Sequence, residues 1–424
     1  MNLKIETINR LQGVKEIPGD KSISHRSLMI GAIANGLTEI ENCSTAADPM
    51  STLKCIEQLG ISVENKSGKL QINGKGRFGI KKSLSPLDAG NSGTTIRLLS
   101  GILVGQSFPS IITGDFSLVK RPMKRIIDPL RLMGANIRGS DKDTAPIIIE
   151  PVNKLKAISY ELPVPSAQVK SCIIFAGLYA EGTTTVIERI RTRDHTERML
   201  GLDTHESNGF YSVSVSPDHK IEGKKFFVPG DISAAAFLMA AGLLVKKSKI
   251  IIKNVGLNPT RKKILDIFIS MGGKIEIENE KMIEGEPIAD LVVQNSELHS
   301  NIELRKADVV DLIDEIPILA VTCMFADGKL TVRDAKELRT KETDRISAIV
   351  NNLRLLGCEV EEYEDGFAFE SKKNYKPNIL PSYGDHRIAM AFGIAGLLIE
   401  GVILENADCV DISFPNFWNI LLGK

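Results

Sequence analysis

The stretch PGDISAAAFLMAAGLL, residues 229–244, decides the fold class of this chain. It joins a polar opening of small residues to an uncharged apolar run, and the pattern recurs at intervals of roughly 65–85 residues. The copies occupy residues 18–36, 88–105, 165–182, 229–244, 314–328 and 383–401. Because an uncharged helix rich in Ala and Gly has no polar face, we expect each of these helices to be buried on every side.

A strand-like segment and a second helical segment follow each copy, and most of the second segments open with Pro or with a charged cluster. These second segments occupy residues 48–60, 121–134, 193–201, 258–272, 341–357 and 414–423. Several are followed by alternating polar and apolar residues, as in GKIEIEN and CEVEEYE. The pattern predicts an α/β fold, of the α+β kind, built from six βαβαββ units.

Two Pro-Gly-Asp sequences divide the six units into two halves. IPGD (17–20) and VPGD (228–231) open units one and four, and Pro-Gly is a strong signal for a break between elements. We therefore expect a first domain at 21–228 with units one to three, and a second domain at 1–20 and 229–424 with units four to six. A small-molecule site is expected in the cleft between two such domains.

The composition narrows the class of protein. Lys and Arg total 53 among 424 residues, and so do Asp and Glu, which gives a formal net charge of zero. This balance argues against binding to nucleic acid or to an anionic membrane through an overall positive charge. The longest uncharged apolar runs have about 12 residues, whereas about 18–20 are needed to span a bilayer. The N-terminal sequence has no apolar secretion signal, so we expect a cytoplasmic protein.

Motifs for metals and nucleotides are weak in this sequence. The six cysteines form no CxxC pair and the six histidines form no HExxH motif, so we expect no metal site. GKGRFG (74–79) matches a dinucleotide-binding pattern, but no helical pattern follows it. A hairpin loop is therefore the better interpretation of that segment.

Cations stand where several of the helices begin, and the positive end of a helix disfavours them unless an anion lies nearby. These cations are Lys21 and Arg26 in unit one, Lys120 and Arg121 before Pro122, Lys341 and Arg345 in KETDR, and Arg387 after GDH. A solvated side chain explains any one of them. Their recurrence at equivalent ends of the repeat predicts a site for several phosphate or carboxylate groups.

Small and neutral groups accompany these cations. GNSGTT presents amides and hydroxyls with no side chain at Gly93, although a helix N-cap at Asn91 or Ser92 explains the same segment. The segment PSAQVKS offers Ser166 and Gln168 as neutral hydrogen-bonding groups.

Two carboxylates are candidates for acid–base chemistry. Asp314 lies in the apolar stretch VVDLIDEIPILAV, where a helix N-cap is the alternative interpretation. At the rim of a cationic cleft it would stay ionised and could take a proton from a hydroxyl group. Glu342 lies between Lys341 and Arg345, where a surface acid at a helix start is the alternative.

Eight motifs occur in order between residues 18 and 390: PGDKSISHR, GNSGTTIR, KRPM, SAQVKS, RDHTERML, IDEIP, LRTKETDR and GDHRIAM. Together they resemble those of the 3-phosphoshikimate 1-carboxyvinyltransferases, the 5-enolpyruvylshikimate-3-phosphate synthases of the shikimate pathway. The resemblance spans nearly the whole chain. It implies the family's fold of two domains, each with three βαβαββ units, which is known as an inside-out α/β barrel of the enolpyruvyl transferase type.

The resemblance also implies the reaction and the site. An enolpyruvyl group passes from phosphoenolpyruvate to the 5-hydroxyl of shikimate 3-phosphate, phosphate is released, and neither a metal nor an organic cofactor takes part. The implied contacts of shikimate 3-phosphate are Lys21, Ser22, Arg26, Ser166, Gln168, Arg193, Asp314 and Lys341. The implied contacts of phosphoenolpyruvate are Lys21, Gly93, Arg121, Gln168, Arg345 and Arg387.

Three of these residues have implied catalytic roles. Asp314 would accept or steer the hydroxyl proton, Glu342 would transfer a proton at the methylene carbon, and Lys21 would act beside them. Because the site residues come from both halves of the sequence, we expect substrate binding to close the cleft.

Two positions depart from the family pattern. Ile412 in DISFP stands where many relatives carry a Lys that contacts phosphoenolpyruvate, and Glu337 replaces an Asn that some relatives use. With SAQVKS and RDHTERML, these changes resemble the second of the family's two bacterial sequence classes. That class includes members that tolerate glyphosate, an inhibitor of this family, but Gly93, which is often Ala in tolerant forms, is retained here.

Two other functions compete with this interpretation. UDP-N-acetylglucosamine enolpyruvyl transferase shares the fold and the phosphoenolpyruvate chemistry, but it uses a loop cysteine, and RPMKRIIDPL contains none. A non-enzymatic repeat protein that binds anions or RNA termini could use the same βαβαββ unit. The zero net charge and the acids Asp314 and Glu342 argue against it. We expect a monomer that acts on two small-molecule substrates.

Overall fold

The computed structural model describes residues 1–422 of the chain. Most of its helices correspond to the two helical segments of each repeat. Their bounds are α1 Lys21–Ile33, α2 Ala47–Gln58, α3 Gly93–Leu103, α4 Lys124–Leu132, α5 Ala167–Gly177, α6 His195–Leu200, α7 Ile232–Leu244, α8 Lys263–Ser270, α9 Ala307–Leu312, α10 Ile316–Met324, α11 Arg345–Leu355, α12 His386–Gly396 and α13 Phe417–Leu422. The predicted helix at 414–423 is thus observed as α13, and its residue 423 lies outside the described residues.

The strands fall between these helices, as the repeat predicts. Their bounds are β1 Leu3–Lys4, β2 Gln12–Lys15, β3 Asn35–Glu41, β4 Ser62–Lys66, β5 Lys69–Lys75, β6 Leu87–Asp88, β7 Ser110–Thr113, β8 Asn136–Arg138, β9 Ile147–Glu150, β10 Leu155–Lys156, β11 Ser159–Glu161, β12 Ala180–Glu181, β13 Thr184–Glu188, β14 Thr204–Ser207, β15 Phe210–Val215, β16 Lys225–Phe227, β17 Lys249–Gly256, β18 Lys274–Ile283, β19 Glu286–Gln294, β20 His299–Leu304, β21 Asp327–Val332, β22 Val360–Tyr363, β23 Gly366–Glu370, β24 Ile379–Pro381 and β25 Ile403–Glu405.

The chain divides into two compact units. One, the insert unit, is Gly19–Val228, and the other, the terminal unit, combines Met1–Pro18 with the residues from Pro229 onward. Asp20 belongs to the insert unit because it caps α1, where its Oδ1 accepts a hydrogen bond from Ile23 N at 2.8 Å.

The sheets of the insert unit share one topology. Their strand orders are β16-β3-β5-β4, β6-β7-β9-β8 and β11-β13-β15-β14, with a further pair β10-β12. In each four-stranded sheet the first pair is parallel and the other two are antiparallel. In the second and third of these sheets a helix crosses over between the parallel strands, and in all three a hairpin joins the last two strands. This makes the repeat a βαβαββ unit.

The terminal unit repeats this topology. Its strand orders are β18-β19-β17-β2, β20-β21-β23-β22 and β1-β25-β24. The last sheet ends with α13 instead of a hairpin within the described residues, and β1 lies antiparallel to β25 there. The predicted α/β fold of repeated βαβαββ units is confirmed.

Two strands have exchanged sheets. β2 directly precedes α1 in the sequence, yet it lies parallel to β17 in the terminal unit, with Gln12 opposite Lys249. β16 directly precedes α7, yet it lies parallel to β3 in the insert unit, with Lys225 opposite Glu39. Each unit therefore takes the first strand of its first sheet from a distant part of the sequence.

The apolar helices of the repeat are buried, as predicted. In α7 every residue from Ile232 to Leu243 is buried. A Cβ added at Gly242 would lie 3.0 Å from side-chain atoms of Ile250 and Val293, so the sheet packs directly against the helix backbone. No helix within residues 1–422 is both long and apolar enough to cross a bilayer.

The predicted start of helix α11 is wrong. Lys341 lies in an extended conformation after the 3₁₀ turn Lys336–Thr340, and the helix begins four residues later at Arg345. Asp344 fixes this start because its Oδ1 accepts a hydrogen bond from Ser347 N at 3.1 Å. Lys341 therefore lies before the helix, and of these two cations Arg345 alone is part of it.

The predicted start of helix α4 is also wrong. Pro122 does not open the helix, which begins at Lys124. Arg121 has an extended backbone and directly follows the 3₁₀ turn Leu118–Lys120. Its backbone N–H donates to Leu118 O and so closes that turn. The cation is thus presented from a loop and not from a helix end.

Candidate active site

The first turn of α1 carries Lys21 and Ser22, which stay partly exposed while the rest of the helix is buried. Lys21 Nζ lies 3.1 Å from Asp48 Oδ2 in the first turn of α2. This carboxylate offsets the cost of a cation at the positive end of a helix. Ser22 Oγ makes no hydrogen bond within residues 1–422, so its hydroxyl is available to a ligand.

Gly93, the first residue of α3, lies beside two arginines. A Cβ added there would lie 3.3 Å from Arg97 Nη1 and 3.6 Å from Arg121 Nη1. Arg121 Nη2 donates to Asn91 Oδ1 at 2.8 Å, and Asn91 Nδ2 donates to Asp115 Oδ2 at 2.7 Å. The predicted residues Gly93 and Arg121 are therefore brought together at a helix N-terminus.

The cap interpretation of GNSGTT is correct for Ser92 and wrong for Asn91. Ser92 Oγ accepts a hydrogen bond from Thr95 N at 3.1 Å, whereas the Asn91 side chain orients Arg121. One short segment thus caps the helix and positions a cation.

Arg97 is absent from the predicted site, yet it connects two of its members. Its Nη1 donates to Gln168 Oε1, and Gln168 Nε2 donates to Thr94 Oγ1 at 2.9 Å. The sequence carries a signal for this residue, because Arg97 follows Gly93 by four positions and so shares its helix face. Ser166 caps α5 by accepting a hydrogen bond from Val169 N at 3.4 Å.

Arg26 is almost fully buried, and its guanidinium is bonded on three sides. Nε donates to Thr196 Oγ1 at 2.6 Å, Nη2 to Ser171 Oγ at 2.9 Å, and Nη1 to the carbonyl oxygen of Ser22 at 3.0 Å. These bonds connect α1, α5 and α6. Arg193, which is predicted to act with Arg26, is partly buried just before α6.

His25 forms a hydrogen-bonded chain beneath these residues. Its Nδ1 lies 2.7 Å from Thr52 Oγ1, which lies 2.7 Å from Thr95 Oγ1, so the chain connects α1, α2 and α3. Burial lowers the pKa of His25 well below its usual value, and the nearby charges of Lys21 and Arg26 add to this effect. The imidazole is therefore neutral in the folded protein.

His25→Asn is expected to flatten the pH dependence of stability on the acid side. Below the unfolded-state pKa of about 6.5, His25 binds a proton in the unfolded chain but not in the folded chain. The free energy of unfolding therefore falls by about 1.4 kcal/mol for each unit by which the pH is lowered. Asparagine can still donate to Thr52 but cannot titrate. Urea unfolding between pH 7.5 and 5 measures both slopes, and equal slopes would contradict this assignment.

Arg345 is the centre of a buried ion cluster at the start of α11 in the terminal unit. Its side chain is 1% exposed, Nε donates to Asp385 Oδ2 at 2.7 Å, and Nη2 donates to Glu342 Oε2 at 2.6 Å. Nη1 donates to Asp314 Oδ1 at 3.4 Å. Burial alone would lower the pKa of Arg345, but the three carboxylates outweigh burial and raise that pKa. The guanidinium is thus permanently charged.

Asp314 lies between two guanidinium groups. Its Oδ2 is 4.0 Å from Arg387 Nη2, and its carbonyl oxygen accepts a hydrogen bond from Arg387 Nη1 at 2.7 Å. The cap interpretation of Asp314 is wrong, because Glu315 occupies the N-cap position of α10 and no side chain caps that helix. Neighbouring cations favour the ionised carboxylate, which is the form that accepts a proton.

Arg387, the second residue of α12, keeps most of its donors unused. Its guanidinium makes one hydrogen bond within residues 1–422, to the carbonyl oxygen of Asp314. Its other contacts are ion-pair distances to Asp314 and to Glu315. Because a guanidinium has five N–H donors, Arg387 can still bind a carboxylate or phosphate at two points.

Lys341 lies near one of the two positions that depart from the family pattern. Its Nζ is 3.9 Å from Glu337 Oε1, and both Lys341 and its neighbour Glu342 are partly exposed. Ile412, the other departure, is partly buried at the end of the 3₁₀ turn Ala407–Ile412.

The two sets of site residues differ in charge. In the insert unit, cations predominate over the carboxylates Asp48 and Asp115. In the terminal unit, cations and carboxylates alternate around Arg345. The former set is suited to hold anions, and the latter can also move protons.

Thiol chemistry has little support in this structure. Residues 1–422 contain no group of three or more His, Cys, Asp or Glu side chains that could hold a metal ion. Burial raises the pKa of the cysteine thiols, to about 12 for Cys55, Cys172 and Cys323. A thiol with so high a pKa is a poor nucleophile at neutral pH.

Comparison with known proteins gives consistent matches over the full length. The model of the EPSP synthase (3-phosphoshikimate 1-carboxyvinyltransferase) family matches residues 5–421. A curated 3-phosphoshikimate 1-carboxyvinyltransferase of Salinibacter ruber is 46% identical over 428 residues, covering 98% of this chain and 98% of that protein.

Solved structures agree with these matches. The structure of EPSP synthase from Acinetobacter baumannii has a TM-score of 0.88 and 41% identity, covering 100% of this chain and 98% of that one. The enolpyruvyl transferase NikO from Streptomyces tendae has a TM-score of 0.78, covering 99% of this chain and 96% of that one. At 16% identity, the likeness to NikO shows the fold alone.

Proposed function

The chain belongs to the EPSP synthase (3-phosphoshikimate 1-carboxyvinyltransferase) family, and on that premise we propose that it transfers the enolpyruvyl group of phosphoenolpyruvate to the 5-hydroxyl of shikimate 3-phosphate. The products are 5-enolpyruvylshikimate 3-phosphate and phosphate, in the biosynthesis of aromatic amino acids. The observation that carries this proposal is the 46% identity to a curated carboxyvinyltransferase over 98% of this chain.

The charges of the substrates explain the types of site residue. Each substrate carries a phosphate and a carboxylate, and their mutual repulsion must be offset by fixed cations. Binding of shikimate 3-phosphate is assigned to Lys21, Ser22, Arg26, Ser166, Gln168, Arg193, Asp314 and Lys341. Binding of phosphoenolpyruvate is assigned to Lys21, Gly93, Arg121, Gln168, Arg345 and Arg387.

Two carboxylates carry the proton transfers. Asp314 takes the proton of the 5-hydroxyl as its oxygen bonds to C2 of phosphoenolpyruvate, while the methylene carbon C3 gains a proton through Glu342. The C2–O bond to phosphate then breaks, C3 loses a proton, and the double bond is restored. Lys21 stabilises the charge on the departing phosphate.

No cofactor enters this scheme, since proton transfer and charge stabilisation supply the chemistry. We infer that the enzyme acts as a cytoplasmic monomer on these two metabolites. Light scattering on the purified protein measures the mass, and a stable dimer would contradict the monomer.

The function is tested by coupled phosphate release. Purified protein should release phosphate when shikimate 3-phosphate and phosphoenolpyruvate are both present, and from neither alone. Release with UDP-N-acetylglucosamine in place of shikimate 3-phosphate would favour the related enolpyruvyl transferase. Release from phosphoenolpyruvate alone would indicate a phosphatase and overturn the proposal.

Arg387→Ala and Arg121→Ala are each expected to raise the KM for phosphoenolpyruvate while the affinity for shikimate 3-phosphate changes little. A charge-assisted hydrogen bond lost in a dry site costs about 1.5–3 kcal/mol, or about 10–150-fold. Steady-state kinetics and calorimetric titration measure the two quantities. Arg305→Ala is a matched control, because Arg305 is exposed and forms a surface ion pair with Glu303. Normal kinetics in either variant would remove that arginine from the assignment.

A further inference from the structure

Glu315 is a fully buried acid next to the candidate active site that no assigned role explains. Its exposed fraction is 0%, and it follows Asp314 directly at the start of α10. A burial this complete is costly for a carboxylate unless cations and hydrogen bonds surround it. Its carboxylate does not cap the helix whose N-cap position it occupies.

Two arginines and one hydroxyl surround this carboxylate. Glu315 Oε1 accepts a hydrogen bond from Ser233 Oγ and lies 3.6 Å from Arg387 Nη1 and 3.7 Å from Arg261 Nη2. Within residues 1–422, its Oε2 is buried and has no hydrogen-bond partner. One carboxylate oxygen thus faces both guanidinium groups.

Arg261 is held firmly from the other side. It is 3% exposed, and its Nη2 donates to Ser233 Oγ at 2.5 Å and lies 3.6 Å from Asp231 Oδ1. Asp231 caps α7 by accepting a hydrogen bond from Ser233 N at 2.8 Å. The group Asp231, Ser233, Arg261 and Glu315 therefore connects the start of α7, the turn before α8 and the start of α10.

Arg387 is the less tightly bonded arginine of the two that face Glu315. Within the described residues its guanidinium makes one hydrogen bond, to a carbonyl oxygen, and ion pairs with Asp314 and Glu315. Arg261 donates to a side-chain hydroxyl, that of Ser233, and pairs with at least two carboxylates, those of Asp231 and Glu315. Without the charge of Glu315, two guanidinium groups would face each other across a buried space. Their repulsion would displace the less constrained one, Arg387.

We propose that Glu315, with Arg261 behind it, is a positioning residue that fixes the guanidinium of Arg387 for phosphoenolpyruvate. This inference rests on the proposed function, in which Arg387 binds that substrate. Glu315 touches neither substrate and acts only through Arg387.

The test uses Glu315→Gln in the full chain, which keeps the shape of the side chain and removes its charge. The KM for phosphoenolpyruvate should rise about 10–50-fold, while the calorimetric affinity for shikimate 3-phosphate stays within threefold. Asp290→Asn is the matched control, a buried acid of the same unit that pairs with Lys253 at 2.7 Å, and its KM should not change. If Glu315→Gln has a wild-type KM, the proposal is overturned.

A double-mutant cycle separates positioning from a general loss of structure. In an Arg387→Lys background, Glu315→Gln should raise the KM less than threefold further, because the group it positions is already gone. A full additional 10–50-fold rise would show that Glu315 acts independently of Arg387 and would overturn the proposal. If Glu315→Gln does not fold, Ser233→Ala replaces it, with an expected rise of about 3–10-fold and the same dependence on Arg387.

Failure of the proposed function is seen separately. It appears as a wild-type protein that releases no phosphate from the two substrates together. Failure of the Glu315 proposal appears as an active wild type with an unchanged variant.

Discussion

Asp314→Asn is expected to bind both substrates within severalfold of the wild-type affinity and to lose turnover by about 10²–10⁴-fold. Asparagine keeps the shape and the hydrogen-bonding capacity of the side chain but cannot accept a proton at neutral pH. Asp314 lies 3.4 Å from Arg345 and 4.0 Å from Arg387, so its charged form is the one that the protein stabilises. Single-turnover kinetics at saturating substrate measure the loss.

The control for this variant is Asp344→Asn, which changes an acid of the KETDR segment that lies outside the assigned site. Asp344 caps α11, and asparagine is an equally good cap. The substitution also removes the charge that pairs with Arg339 at 2.7 Å, but both side chains are partly exposed and such pairs contribute about 0–1 kcal/mol. Turnover and melting temperature should therefore both stay near wild type. If Asp314→Asn likewise melts normally and turns over at a near-normal rate, Asp314 has no part in the mechanism.

Lys170→Met is expected to destabilise the insert unit by about 3–5 kcal/mol, because it leaves two buried carboxylates without a cation. Lys170 Nζ lies 2.7 Å from both Glu188 Oε2 and Glu197 Oε1, and all three side chains are at most 5% exposed. Burial alone would lower the pKa of Lys170, but Glu197 and Glu188 outweigh burial and raise it. Far-UV circular dichroism during urea unfolding measures the loss, since the single tryptophan, Trp418, reports on the terminal unit.

Two further variants make this prediction specific. Lys154→Met breaks an exposed ion pair of the same unit, at 2.6 Å from Glu181, and should leave the unfolding midpoint nearly unchanged. Lys170→Met combined with Glu188→Gln and Glu197→Gln should recover much of the lost stability, because no unpaired buried charge remains. An unfolding midpoint of Lys170→Met equal to wild type would show that the buried triad contributes nothing to folding.

The elements with a local signal could be predicted from the sequence. Polar openings such as PGD in units one and four place Asp20 and Asp231 at helix N-caps, and both act as caps. The uncharged run that follows each opening predicts a buried helix, as α7 shows. Lys341 could not be placed correctly, because the cap that decides the helix start, Asp344, is one of several polar residues in KETDR that suit that role.

Residues that connect distant segments could not be predicted. Lys170 interrupts an apolar helix, which signals a buried partner, but nothing local identifies Glu188 and Glu197 as that partner. The same holds for Glu315 and Arg261, which are separated by more than fifty residues in the sequence. Side chains of this kind meet only after the sheets have formed, so their pairing follows from the fold and not from a pattern.

The exchange of β2 and β16 determines the order in which the sheets can be completed while the chain leaves the ribosome. Once Phe227 has emerged, the insert unit has all of its strands and can complete its sheets. β2 emerges among the first residues, yet its neighbour β17 follows more than 200 residues later. At about 5–20 residues per second, this interval is on the order of 10–40 s. During that time β2 has no neighbour, and its sequence QGVK, with a single apolar residue, gives other nascent chains little to aggregate with.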